Sequence, residues 1–375
     1  MVGQCFLRYK GGSLDTTASS LMKRSKCMFK RIIVPLDGST RAERAIPIAA
    51  RIADACEASI ILLRIVTEPF EVGSQVISLS GFSSTSLDND INIAKNYLAA
   101  IARRAELDGI GLKMKVLTGP VAQKILDAEE EEQADLVVMC SHGATGFKRL
   151  VLGSVAQKVA RHSTAPVLVL RQDGSLPVSS FPDPLRPIRA VTAVVALDGS
   201  SMAEEALMPA ASLVMALAAP ARGCLQLTHI VRLPVRGGES NGHSGYSSPE
   251  LVDTHAKDEA IQEAKTYLGN LTDHLRQGPL KDADLTLTWA VSVGKDVAEA
   301  IIKAAETGEN VEDFGVFGGC DLLAIATHGR GGLERWISGS VTEHILGATR
   351  LPMLIVGPNV QHEHITSEAM EVETS

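Results

Sequence analysis

The sequence predicts an α/β protein of two tandem domains, each a doubly wound parallel sheet of five strands flanked by helices, packed together as a pseudo-dimer. Three observations carry this. A β-branched run ending in Leu-Asp-Gly-Ser occurs twice, at 36–39 and at 197–200. A His-Gly pair, nine residues and then Gly-Ser also occur twice, from 142 to 154 and from 328 to 340. Between these markers, apolar runs of strand length alternate with stretches of helical period, in the same order in both copies.

Each copy is justified element by element. The first opens with RIIVPL before Asp37 and the second with AVVAL before Asp198, both short β-branched runs. A helical period follows, with Ile46, Ala49, Ala50 and Ala53 at i, i+3, i+4, i+7, and Leu207, Ala210, Ala211 and Val214 at the same spacing. Thr40 with Glu43 and Ser201 with Glu204 fit capping boxes for these helices, and Pro47 and Pro209 are expected to kink them. Second strands lie at 60–66 and 225–231. Gly- and Ser-rich loops at 70–88 and 234–250 lead to helices ending near Ala105 and Leu275. Third strands read LKMKVL and LTLTWAV. LVVMC at 136–140 and LLAIA at 322–326 are almost wholly apolar, as strands covered on both faces should be. The last strands, PVLVL at 166–170 and PMLIV at 352–356, would be exposed apolar edges, which predicts that they lie adjacent. An insertion around 306–319 explains why the copies drift out of step.

With 375 residues the chain has room for two cores. Its net charge of −8 argues against a dedicated nucleic-acid binder and against adhesion to anionic membranes. The longest apolar stretch, 213–221, is too short to span a bilayer. The six cysteines are scattered and form no CxxC pair, so neither a zinc site nor a disulfide framework is expected, and a reducing cytoplasm fits. Residues 1–28 read as a disordered leader, with Met22 or Met28 as alternative starts. The Pro- and Ser-rich segment 173–188 reads as a linker and 359–375 as a disordered acidic tail.

In an open parallel sheet, ligands collect beyond the carboxyl ends of the strands, where strand order reverses. Asp37 follows strand one and His142-Gly143 follows strand four; Asp198 and His328-Gly329 repeat the arrangement. Gly153-Ser154 and Gly339-Ser340 open the last helices, whose unpaired N–H groups and partial positive charge suit phosphate. Each signal also has a plainer reading. Ser154 with Gln157 and Ser340 with Glu343 fit capping boxes, Asp37 and Asp198 fit turn caps, and His142 and His328 fit strand ends. Arg149 and Arg335 occupy equivalent loop positions, within reach of phosphate or simply solvated. Recurrence of the whole set in one order favours a ligand.

With these motifs, both halves resemble universal stress protein domains, over 29–172 and 189–358. The resemblance implies the adenine nucleotide alpha hydrolase-like, Rossmann-like fold. ATP-binding members carry Gly, two residues, Gly, nine residues, then Gly-Ser or Gly-Thr. The second and third glycines correspond to Gly143 and Gly153 and to Gly329 and Gly339, followed by Ser154 and Val155, and by Ser340 and Val341. Cys140 and Ala326 replace the first glycine. The nucleoside-facing Asp maps to Asp37 and Asp198, its neighbours to Pro35 and Leu36 and to Ala196 and Leu197, and the adenine-facing residue to Ile65 and Ile230.

The resemblance implies ATP or another adenine nucleotide, with Mg²⁺, bound at up to two sites of a cytoplasmic stress-response protein without catalytic residues or a metal site of its own. It also implies dimerisation through the last strands, either within one chain or between chains. A nucleotide-free interaction module and an ATP-hydrolysing enzyme of related fold remain as alternatives. Against the enzyme, KGGSLDTT at 10–17 is a mis-spaced match to the ATP pyrophosphatase loop. Walker A, Gly-x-Gly-x-x-Gly and HExxH patterns are absent.

Overall fold

The structure, a computed structural model, describes residues 27–67, 84–141, 152–171, 190–232, 249–308, 310–311, 315–316, 319–327 and 340–357. The first half contains strands β1 (Arg31–Leu36), β2 (Ser59–Val66), β3 (Leu112–Thr118), β4 (Leu136–Cys140) and β5 (Val167–Leu170). Its helices are α1 (Ala45–Cys56), α2 (Ser84–Ile101), α3 (Val121–Glu132) and α4 (Ser154–His162). The second half begins with β6 (Thr192–Leu197), α5 (Ser201–Glu204), α6 (Leu207–Ala218) and β7 (Gly223–Arg232). It continues with α7 (Pro249–Gln277), β8 (Leu285–Gly294) and α8 (Val297–Thr307). A small ribbon, β9 (Asn310–Val311) and β10 (Gly315–Val316), marks the insertion. The half closes with β11 (Leu322–Ala326), α9 (Ser340–Ala348) and β12 (Met353–Val356).

The strands form one continuous ten-stranded sheet, in the order β3-β2-β1-β4-β5-β12-β11-β6-β7-β8. Within each half of this sheet all pairings are parallel, the β9–β10 ribbon standing apart as an antiparallel pair; at the centre β5 and β12 pair antiparallel, Val167 opposite Ile355 and Val169 opposite Met353. The two expected apolar edges thus abolish each other. Alternation along the strands splits the core into two layers. Ile32, Val34, Ile60 and Leu62 face α1, α2, α6 and α7. Ile33, Ile61, Leu63 and Ile65 face α3, α4, α8 and α9. Burying each such side chain contributes about 1.5–3 kcal/mol. The halves also meet through α1 against α6, where Arg51 donates to the Ala219 carbonyl. Arg171, just past β5, donates to the Leu346 carbonyl near the end of α9, a position that favours a cation. By length and composition, Ser201–Ala218 could cross a bilayer, but 67 % of it is buried as the core helix of the second half.

Several local expectations are corrected. The caps are Ser39 and Ser200, whose hydroxyls accept from the Ala42 and Ala203 amides at 3.2 Å, not Thr40 and Ser201. Glu43 and Glu204 turn instead to the Tyr97 and Tyr267 hydroxyls. Pro47 and Pro209 are the third residues of α1 and α6, in the first turn, where no intrahelical N–H bond is lost; the chain breaks before them rather than bending at them. The Ser-rich approach to α2 is already helical from Ser84. Cys27 and Cys56 form a disulfide, which ties the last leader residues to the end of α1. No spacing rule signals that pair, because β1 and α1 bring it together in space. The linker and tail lie outside the described residues.

Candidate functional site

Strand order turns back between β1 and β4, so the crevice at their carboxyl ends is where side chains from both directions of winding converge. A cavity of about 350 Å³ occupies it, within the usual range of small-molecule pockets. Pro35, Leu36, Asp37, Ile65, Cys140, Gly153, Ser154 and Val155 all line it. Half of the described wall of this cavity is thus made of residues singled out in the sequence, some of them more than 100 positions apart. His142 and Gly143 lie outside the described residues.

The Asp-Gly-Ser turn has a local logic of its own. Asp37 Oδ1 accepts from the Ser39 amide at 2.9 Å and the Ser39 hydroxyl at 2.6 Å. Asp198 does the same with Ser200, at the same two distances. The glycine between them has φ of +83° at Gly38 and +80° at Gly199, a left-handed conformation that a side chain would strain. The turn-cap reading is thus correct for both aspartates, and Asp37 lines the cavity as well.

The far wall is the start of α4. Its N-cap is Gly153, whose amide donates to the Ser141 carbonyl at 2.8 Å, and no side chain caps the helix. Ser154 is the first helical residue, so its expected capping box with Gln157 does not form. The first-turn amides and the helix dipole are left to attract an anion. In the second half, Glu343 of the corresponding pair is bonded to Arg161 of the first half. Cys140, in the place of the first family glycine, bonds through its thiol to the Arg41 carbonyl at 2.9 Å. Burial pushes that thiol up to about 12, so it stays protonated and is no nucleophile at neutral pH.

Arg64, Thr67, Val121, Ile125, Met139 and Ser141 also line the cavity and were not anticipated. Val121, Ile125 and Met139 read in sequence as ordinary core positions. Arg64 differs between the copies, so a search for repeated residues passes over it. Its counterpart is His229, since Arg64 pairs with Leu36 as His229 pairs with Leu197.

In the second half, Ala196, Leu197 and Ile230 are buried at the ends of β6 and β7, Asp198 forms its turn, and the half-buried Ala326 ends β11. Ser340 begins α9 and Val341 follows, half-buried. His328, Gly329 and Gly339 lie outside the described residues. A further cavity of about 250 Å³ is lined by α4 and α9 residues from both halves, and its cation, Arg161, is already paired with Glu343. Among the described residues, no group of three or more His, Cys, Asp or Glu could hold a metal ion.

The comparisons with known proteins agree with this architecture. The profile of the universal stress protein family matches residues 28–171 and 192–357, one match in each half. A universal stress protein of Methanocaldococcus jannaschii is 30 % identical over 160 residues, 40 % of this chain and 98 % of its own. One of Mycobacterium tuberculosis is 24 % identical over 270 residues, covering 71 % of this chain and 74 % of its own. Among solved structures, a universal stress protein from Archaeoglobus fulgidus superposes with a TM-score of 0.53 at 18 % identity, covering 88 % of this chain and 97 % of its own. With both halves matched in the order that the sheet displays, the chain belongs to the universal stress protein family.

Proposed function

We propose that the chain is a cytoplasmic, nucleotide-binding regulatory protein of the stress response, taking ATP or another adenine nucleotide in the first half and at the corresponding place in the second. The observation that carries this reading is the single cavity that joins apolar strand ends, an aspartate and an uncapped helix start. In this reading Pro35, Leu36 and Ile65 hold the base and Asp37 accepts from a ribose hydroxyl. His142 and Gly143 follow β4 beside the phosphates, which rest on the α4 amides at Gly153, Ser154 and Val155. Ala196, Leu197, Asp198, Ile230, Ala326, His328, Gly329, Gly339, Ser340 and Val341 play the same parts in the second half. Mg²⁺ travels on the phosphates, since the described residues gather no carboxylate cluster for it.

A protonated Cys140 and an aspartate occupied by its own turn supply no activated nucleophile, which supports binding over catalysis. The test is calorimetric titration with ATP and Mg²⁺. Saturable binding at one or two sites is expected. An absence of binding at millimolar nucleotide would favour a nucleotide-free interaction module, the reading to which the Cys140 replacement lends weight.

A further inference from the structure

The two halves differ most sharply at one rung of the sheet. Opposite Leu36 stands Arg64; opposite Leu197 stands His229. Arg64 is half-buried and is the single cation among the described lining residues of the first cavity, as Asp37 is the single anion. Its Nη1 donates to the Leu36 carbonyl at 3.2 Å, and its Nη2 stands 3.7 Å from where a Cβ on Gly38 would be. The guanidinium therefore lies over the exit of β1, and among the described residues no carboxylate pairs with it. A half-buried guanidinium whose one partner among the described residues is a carbonyl is poised for an anion, and its planar fork suits phosphate.

That anion is not the 5′ phosphate chain. The chain's receiver, the start of α4, lies beyond β4, whereas Arg64 is on β2, with β1 between them. The guanidinium reaches back over β1, one strand spacing or about 5 Å from β4, and Arg64 alternates with Leu63 and Ile65, which face α4, so it leaves the sheet on the opposite face. A nucleotide whose phosphates run towards Gly153 carries them away from Arg64. A nucleotide with anionic groups on both sides of its sugar satisfies both receivers at once.

We propose that the first half selects a nucleotide bearing a phosphate monoester on its ribose ring in addition to the 5′ phosphate, and that Arg64 recognises this ring phosphate. This rests on the nucleotide reading of the cavity. Asp37 keeps its charge, with its Oδ1 held towards Ser39 by two hydrogen bonds. The second half carries an imidazole at this rung, without the permanent charge or the fork, and so lacks the selection.

The test uses the full chain in a Gly339→Val background, which isolates the first site. The probes are adenosine 3′,5′-bisphosphate and ADP, which carry the same number of phosphates in different places. The wild-type rung is expected to bind the bisphosphate about tenfold more tightly than ADP, as one charge-assisted phosphate contact allows. In Arg64→His, which copies the second half, and in Arg64→Gln, that ratio is expected to fall to within about twofold of one. Unchanged thermal unfolding confirms that either variant is folded. Equal affinities before substitution, or a ratio that survives both variants, overturns the proposal while leaving the nucleotide reading intact. Failure of both probes to bind the Gly339→Val chain overturns the two together.

Discussion

Replacing Gly153 with valine separates the ligand role of the α4 start from its structural role. The backbone there has φ of −62° and ψ of 149°, extended geometry that any residue adopts. Valine also keeps the N–H that donates to the Ser141 carbonyl. Valine fits that backbone, but Gly153 is the N-cap of α4, where valine is disfavoured relative to glycine, so a modest cost of about 1 kcal/mol to the fold is expected. What the glycine supplies is the missing Cβ at the cavity wall. A branched side chain there holds phosphate away from the first-turn amides. Charge-assisted hydrogen bonds are worth about 1.5–3 kcal/mol each. Losing two costs about 3 kcal/mol or more, a weakening of over about 100-fold. Calorimetry with ATP and Mg²⁺ and urea unfolding should be run in parallel. Loss of the first site in a protein that stays folded, with stability lowered by no more than about 1 kcal/mol, is the expected result. Retention of that site within about threefold of its original affinity, in a folded protein, would refute the reasoning, since so small a change falls well below the loss of one charge-assisted bond.

Three further outcomes follow from the same structure. Glu129 is 3 % exposed and accepts from Ser163 Oγ, the Thr164 amide and hydroxyl, and the Ala165 amide. In Glu129→Ala the exposed Thr164 donors turn to water and the Ser163 hydroxyl keeps the Ala165 carbonyl, which leaves the buried Ala165 amide unmet, so a loss of about 1–3 kcal/mol in urea unfolding is expected; no measurable loss would contradict this burial account. With its thiol pushed up to about 12, Cys140 should react with iodoacetamide at pH 8 at least about 100-fold more slowly in the native protein than in urea; equal rates would show a thiolate in the cavity. Cys27 and Cys56 are separated by 29 positions, so Cys27→Ser should lower stability by about 3 kcal/mol in oxidising buffer and change little under reducing conditions; the same loss in both buffers would point to packing instead of the bond.

How far the sequence reads through to this structure depends on the range of the signal. LVVMC and LLAIA form β4 and β11 over the expected residues, because burial on both faces leaves a short continuous apolar run. The central pairing of β5 with β12 was legible for a related reason, since two apolar edges within one chain have an obvious remedy. The register was not legible: adjacency of two apolar runs does not say that Val169 lies opposite Met353. The caps were misplaced by one residue because Asp-Gly-Ser forms its own turn before the helix begins, and helical spacing cannot show where that turn ends. Within the site, Cys140 was legible because the family resemblance places a glycine there, and Asp37 and Gly153 because the repeat marks them twice. Arg64 was hidden by the same method, which discards whatever the two copies do not share. The Cys27–Cys56 bond was invisible because its partners meet through the packing of α1 beside β1.

The central claim is that the cavity at the ends of β1 and β4 holds an adenine nucleotide. Mass analysis of small molecules released when the purified full chain is denatured tests it most directly, after incubation with millimolar ATP and Mg²⁺ and removal of free ligand. The account expects an adenine nucleotide at up to two per chain, with one fewer from the Gly153→Val variant. Release of no nucleotide, or release unaffected by that variant, would contradict it.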